Sequence, residues 1–172
     1  SSLPVSNAPD YQTTPTHDGS GQACHPDIVY FPDGWNGYKY WMAMTPYPMS
    51  NRNHENPSIL VSQDGYNWEV PEGLSNPIVL HQKGGWNADT DLIYNPDTDE
   101  LWMYYVRFKN NLCTLYRVRS QNGITWSDEE YVFSRPLFQM LSPAIVYKDG
   151  LYHLWYVDAN SNGIHADHTV VK

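Results

Sequence analysis

The chain repeats one short segment three times. The copies are residues 25–30 (HPDIVY), 89–94 (DTDLIY) and 142–147 (SPAIVY). Each copy is followed by a turn and then by a strand rich in aromatic residues, at 38–45, 101–107 and 151–158. Repetition at this spacing, with no helical pattern between the copies, is typical of repeated β-sheet units. The repeat therefore limits the fold to an array of similar small sheets.

A second repeated element is a turn that ends the third strand of each unit. Residues 62–68 (SQDGYNW) return as residues 120–126 (SQNGITW), in phase with the strand copies. An Asp-Gly or Asn-Gly pair suits a tight turn with positive φ, and the Trp that follows can pack on the sheet beneath. Each unit is then predicted to contain an inner, a middle, a third and a short outer strand. A unit of this kind is a propeller blade.

Composition supports an all-β fold and excludes some partners. The 172 residues suit one compact domain, and they include 11 Gly, 13 Pro and 15% aromatic residues without long helix-period stripes. The net charge of −9 disfavours nucleic acid and acidic membrane surfaces as partners, because like charges repel. No apolar stretch approaches the roughly 18 residues of a membrane span, so we predict no membrane insertion.

The repeat also predicts the domain organisation. Residues 1–23 are expected to form a polar leader or an extended arm, and residues 24–172 a partial β-propeller. Its blades are expected at 25–71, 89–133 and, incomplete, 142–172. Because a closed propeller usually needs at least four blades, we expect either that the chain is part of a longer protein, which we favour, or that other copies or chains complete the ring.

The two cysteines do not decide the redox environment. Cys24 and Cys113 are too few for a disulfide framework, and the sequence leaves open whether they pair.

The phase of the repeat predicts a shared pocket at the propeller axis. His25, Asp89 and Ser142 open the three blades and are expected at one level. We expect Thr45, Arg107 and Asp158 to form a second equivalent set, at the ends of the middle strands. Residues 55–57 (ENP) precede the third strand of blade one.

Carboxylates, a guanidinium and loop aromatic residues together suit a carbohydrate, which offers hydroxyl edges and apolar ring faces. The predicted ligand-binding residues are Asp27, Trp35, Tyr47, Asn56, Trp86, Arg107 and Asp158. Structural roles are the alternatives for some of them. Asp27 and Asp91 can bind backbone amides at strand starts, and Arg107 can pair with Asp89.

Four segments resemble the five-bladed propellers of the arabinanase, levansucrase and invertase type, and the resemblance covers about residues 21–160. They are residues 25–48, 55–68, 89–105 and 141–157. They resemble more closely the modules of that superfamily in bacterial surface proteins and phage tail receptor-binding proteins. In its enzymes, blade one opens with an Asp as general base, blade two with an orienting Asp, and blade three with a Glu as general acid. This chain has His25, Asp89 and, at the acid position, Leu141 or Ser142. The resemblance therefore implies a propeller that lacks two of the three carboxyls.

From this resemblance we predict a glycan-recognition module without the usual acid/base pair. It would bind bacterial cell-surface carbohydrate as part of a phage tail or a secreted surface protein, in an extracellular, cell-surface or virion location. One alternative is a glycoside hydrolase acting on furanosides, with Asp89, Glu55 and His25 as its catalytic residues. Another is a purely structural platform. Whether any catalysis survives is left open.

No cofactor is predicted for the chain. We expect no metal at residues 165–168, because ligands three residues apart on a terminal segment need further partners. An axial cation held by Asp89 and His25 is left open.

Overall fold

The structure, a computed structural model, describes residues 11–12 and 14–172. Residues 1–10 and 13, which belong to the predicted arm, lie outside the described residues. The described part is built from three antiparallel sheets and two short 3-10 turns. Its helical segments are all too short to cross a membrane.

Each sheet is one blade whose strands follow each other in chain order. Blade one contains β1 (Ala23–Trp35), β2 (Tyr38–Pro46) and β3 (Ser58–Ser62), with 3-10 turns at Pro48–Ser50 and Arg52–His54. Blade two contains β4 (Trp86–Asn95), β5 (Glu100–Lys109), β6 (Leu112–Ser120) and β7 (Glu130–Pro136). Blade three contains β8 (Leu141–Lys148), β9 (Leu151–Asn160) and β10 (Gly163–Val171). The prediction of an all-β, partial propeller is confirmed.

The core lies between the blades because the middle strand of blade two is apolar on both faces. Side chains alternate along a strand, so Met103 and Tyr105 pack towards blade one while Tyr104 and Val106 pack towards blade three. This two-sided burial explains why the middle strands read as almost continuous aromatic and aliphatic runs.

Trp35 belongs to this core, so its prediction as a sugar platform is wrong. The indole is only 8% exposed, and its Nε1 donates a hydrogen bond of 2.7 Å to Asp99 in blade two. It packs edge-on against Trp41 and lies at the end of β1 opposite to His25. A ligand at the axis therefore cannot reach it.

Each inner strand begins with the same backbone distortion. His25, Asp89 and Ser142 have φ values of 53°, 55° and 48°, and at each one the inner strand gains one residue relative to the middle strand. Such bulges redirect a side chain, and a positive φ costs free energy in a residue other than glycine. Because the distortion recurs in all three described blades, it is a feature of the blade fold and not of one particular residue.

Two equivalent carboxylates connect successive blades. Asp27 Oδ2 accepts a 2.6 Å hydrogen bond from the backbone amide of Leu92, and Asp91 Oδ2 accepts one of 2.9 Å from that of Ile145. Asp27 Oδ1 also accepts from the amide of Ile28 at 3.0 Å. Both oxygens of Asp27 are thus engaged by backbone, which corresponds to the structural alternative and not to the predicted ligand contact.

Candidate functional site

The openings of the three blades meet at one point. His25 Nε2 lies 3.0 Å from Asp89 Oδ1, and the backbone amide of Ser142 donates a 2.8 Å hydrogen bond to Asp89 Oδ2. The Thr90 hydroxyl donates to the carbonyl oxygen of His25 at 2.8 Å. The bulges therefore place an imidazole and a carboxylate in contact at the axis, as the phase of the repeat predicted.

Glu55 joins this pair from the end of the second 3-10 turn. Its side chain is buried, its Oε2 accepts a 3.0 Å hydrogen bond from the Thr45 hydroxyl, and the same oxygen lies 3.8 Å from His25 Nε2. Burial raises the pKa of Glu55 to about 7, and the nearby Asp89 carboxylate also raises it, although the Thr45 hydrogen bond opposes the shift. A carboxyl with this pKa can take up and release a proton near neutral pH.

The same cluster contains the atoms that could hold a cation. Potential ligand atoms of Cys24, His25 and Glu55 lie within 4.8 Å of one another, and Asp89 is in contact with His25. Burial raises the pKa of the Cys24 thiol to about 12, so it stays protonated and is a poor ligand. His25, Glu55 and Asp89 offer the nitrogen and oxygen donors that divalent transition metals accept. The absence of a cofactor stays a prediction.

A cavity of about 300 Å³ opens beside Glu55 and Asp89. All three blades contribute side chains to its wall, among them Tyr47, Arg52, Trp86, Phe108, Leu141 and Ser142. A second hollow of about 210 Å³ also borders Asp89 and contains His25, Asp27 and Thr90. Aromatic walls around a few carboxylates suit a small polar ligand with apolar faces, such as a sugar.

Two of the predicted aromatic residues, Tyr47 and Trp86, line this cavity. The Trp86 ring is nearly parallel to that of Phe108, with 5.0 Å between centroids, and the guanidinium carbon of Arg52 lies 4.3 Å from the Trp86 ring centroid. A sugar that stacks on Trp86 must therefore compete with protein groups that already contact the ring.

The predicted equivalence of Thr45, Arg107 and Asp158 is wrong by one residue. Thr45 lies two positions beyond the register partner of Asp27, and the matching positions in the other blades are Val106 and Val157. Because side chains alternate, a shift of one residue moves a side chain to the opposite face of the sheet.

Arg107 and Asp158 are consequently buried between blades and do not line the axial cavity. Arg107 pairs with Glu129 instead of Asp89, and its Nε donates to Asn87 Oδ1 at 2.9 Å. Asp158 pairs with Arg135 at 3.1 Å. Both charges thus contact protein groups outside the axial cavity, and ligand contact by Arg107 or Asp158 stays a prediction.

Asn56 is also misassigned as a ligand-binding residue. It is only 1% exposed, and its Oδ1 accepts a 2.7 Å hydrogen bond from the backbone amide of His81. Its role is to fix the connector between blades one and two. The open question of a disulfide is also answered, since Cys24 and Cys113 are both free.

The chain is similar to carbohydrate-active proteins over most of its length. It is 33% identical, over 201 aligned residues and 92% of its length, to A type blood N-acetyl-alpha-D-galactosamine deacetylase of Flavonifractor plautii, of which it spans 26%. A crystal structure of an N-acetylgalactosamine deacetylase from F. plautii, in complex with blood group B trisaccharide, matches with a TM-score of 0.86 and 29% identity. That match covers 95% of this chain and 55% of the other.

A family 117 glycoside hydrolase of the marine bacterium Zobellia galactanivorans shares the fold alone. Its TM-score is 0.64 at 14% identity, over 92% of this chain and 55% of that one. No protein-family model matches the chain. The fold is thus that of carbohydrate-active propellers, and the chain corresponds to about a quarter of the curated relative and just over half of the solved deacetylase chain.

Proposed function

We propose that the chain contributes the active site of a hydrolase that removes acetyl groups from N-acetylated amino sugars in glycans. The observation that carries this proposal is the contact of Glu55, with its pKa near 7, and Asp89 with the same imidazole. The similarity to a deacetylase over 92% of the chain supports it.

The arrangement of the carboxyls argues against glycosidic-bond cleavage. Glycosidases place two carboxyls on either side of the scissile bond, with room for the sugar between them. Here His25 Nε2 lies 3.0 Å from Asp89 and 3.8 Å from Glu55, so the imidazole occupies that space. Ser142 opens blade three, where the resembling enzymes carry their general acid. A single proton-transfer centre at Glu55 and His25 suits hydrolysis of an amide better than cleavage of a glycosidic bond.

Amide hydrolysis needs an activated water, a stabilised oxyanion and a proton for the departing amine. Glu55 takes a proton from water, whose oxygen forms a bond to the acetyl carbon. His25, oriented by Asp89, donates a hydrogen bond to the oxygen on which negative charge develops. Glu55 then returns the proton to the amine as the C–N bond breaks, giving acetate and a free amino sugar. A divalent cation held by His25 and Asp89 would polarise the carbonyl in place of this hydrogen bond.

The test measures free acetate and new primary amine after incubation with glycans that end in N-acetylgalactosamine or N-acetylglucosamine. We expect both products in equal amounts, and a loss of at least about 100-fold in rate for Glu55→Gln, because the general base is removed. Parallel reactions with a chelator and with added divalent cations show whether a cation contributes. Release of reducing sugar without acetate would refute the proposal in favour of a glycosidase.

The second candidate is glycan recognition without turnover, which the missing carboxyl at Ser142 favours. It predicts glycan binding with neither acetate nor amine produced, and binding that survives Glu55→Gln. A location on a cell surface or a phage tail stays a prediction.

A further inference from the structure

Arg52 differs from every other arginine of the chain. The other four each pair with a carboxylate: Arg107 with Glu129, Arg117 with Glu130, Arg119 with Glu100 and Glu130, and Arg135 with Asp158. Arg52 has no carboxylate oxygen within 4.0 Å among residues 11–12 and 14–172. Arg52 is exposed, so water can solvate its charge, and its guanidinium is left available to an anionic ligand.

The guanidinium of Arg52 is nevertheless held in place. Its central carbon lies 4.3 Å from the Trp86 ring centroid, and Trp86 is supported by the nearly parallel ring of Phe108. Stacking on an aromatic face restrains a guanidinium while its N–H groups, which lie in its own plane, stay able to donate. Trp86 and Phe108 thus present Arg52 as an oriented donor group.

Arg52 is also the one arginine or lysine in the described lining of the axial cavity, which it shares with Glu55 and Asp89. The two carboxyls make their part of the cavity unfavourable for a negatively charged group, whereas Arg52 makes its own part favourable. The cavity therefore has a polarity that would orient a ligand bearing a negative charge at one end.

We propose that Arg52 binds an anionic substituent, a carboxylate or a sulfate ester, on the glycan whose N-acetyl group lies at Glu55. This inference rests on the proposed function and specifies the substrate class as acidic glycans. The planar fork of a guanidinium matches both groups in a bidentate manner, which a lysine cannot do.

A rival role for Arg52 is to adjust Glu55. Its charge lowers the pKa of Glu55, but burial, the Thr45 hydrogen bond, Asp89 and Cys24 all have larger effects. If adjustment of Glu55 were the main role, Arg52→Gln would shift the pH profile on every substrate alike. An anion-binding role predicts a change that depends on the charge of the glycan.

The experiment measures binding by calorimetry with three probes of equal size. They are a disaccharide of an N-acetylhexosamine and a hexuronic acid, the same disaccharide with its carboxyl reduced to an alcohol, and an N-acetylhexosamine disaccharide with a sulfate ester. The proteins compared all carry Glu55→Gln, so that the probes are not turned over. With Arg52 present, we expect at least one acidic probe to bind about tenfold more tightly than the reduced one, the size of one charge-assisted contact. The acidic probe that binds more tightly identifies the anion.

Three variants complete the design. Arg52→Gln is expected to remove the preference and leave the affinity for the reduced probe unchanged, and Arg52→Lys to keep only part of the preference. Lys39→Gln makes the same change of charge on an exposed residue at the other end of β2 and is expected to keep the full preference.

Equal binding of all probes when Arg52 is present, or an equal loss for all probes in Arg52→Gln, overturns the inference. Acetate release is assayed separately, with wild-type Glu55, so an Arg52-dependent preference in binding without acetate release refutes deacetylation and leaves this inference standing. Acetate release from acidic and neutral glycans alike, with both rates unaffected by Arg52→Gln, leaves deacetylation standing and refutes this inference.

Discussion

Replacement of Glu55 by Gln is expected to stabilise the protein at neutral and alkaline pH, and under the proposed function it also removes deacetylation. Glu55 is 4% exposed, and its pKa rises from 4.5 to about 7 on folding, chiefly through burial. The folded protein therefore retains a proton that the unfolded chain has lost between these two pH values. Stability must fall as pH rises through this window.

The magnitude follows from the size of the shift. The interval from 4.5 to about 7 corresponds to about 3 kcal/mol, at roughly 1.4 kcal/mol for each pH unit. Gln cannot ionise, and its amide oxygen can still accept the Thr45 hydrogen bond. The variant should match the wild-type protein near pH 4 and exceed it by up to about 3 kcal/mol above pH 7.

Urea denaturation of both proteins from about pH 4 to about pH 8.5 measures this difference directly. A chelator is present throughout, because a bound cation would favour the ionised carboxylate. Glu72→Gln, at an exposed position in the connector between blades one and two, is the matched control and should show no such pH dependence. A constant difference between wild type and Glu55→Gln across the range, or one of opposite sign, would refute the reasoning.

Three further predictions concern the scaffold, each measured as the free energy of unfolding. Asp27→Ala should cost about 1–3 kcal/mol, because it leaves backbone amides without their acceptor, and an unchanged stability would contradict the inter-blade role. Ser142→Gly should stabilise by roughly 0.5–1 kcal/mol because its φ of 48° suits glycine; a loss would show that the bulge is not strained. Gly123→Ala should cost about 3 kcal/mol, because the new Cβ would meet Trp41 at 2.0 Å, whereas Gly37→Ala, with nothing within 4 Å, should lose only the smaller cost of its positive φ.

The sequence predicted the axial pair because the repeat determines its phase. His25 and Asp89 occupy the same position in two copies of one segment, and equivalent positions of successive blades lie at one level. The contact between the two side chains follows from the symmetry of the blades.

The prediction that failed, the equivalence of Thr45, Arg107 and Asp158, depended on the pairing register of the middle strands. The axial pair depended only on the phase of the sequence repeat. Arg107 and Thr45 both lie near the end of a middle strand. The turn before that strand is longer in blade one, where Tyr30 pairs with Tyr40, than in blade two, where Tyr94 pairs with Leu101. The sequence does not show where each middle strand begins to pair, so the alignment slipped by one position and the predicted face was reversed.

Arg52 was missed for a different reason. It lies in a 3-10 turn that only blade one contains among the described residues, so the repeat offers nothing with which to compare it. Its sequence neighbours gave no signal of its contact with Trp86, which is 34 positions away in the chain. Residues outside the repeat are those for which the structure adds most.

The repeated bulge explains how this scaffold supports a reactive centre. Positive φ at His25 and Asp89 and a buried carboxyl at Glu55 all cost folding free energy, and they lie within one small cluster. The continuous apolar packing between blades offsets that cost. Because the bulge is a property of every blade, a new chemistry requires changes only in the side chain that each bulge presents. In this chain the bulges present an imidazole in blade one and a serine in blade three, and under the proposed function His25, Asp89 and Glu55 together form a site suited to amide hydrolysis.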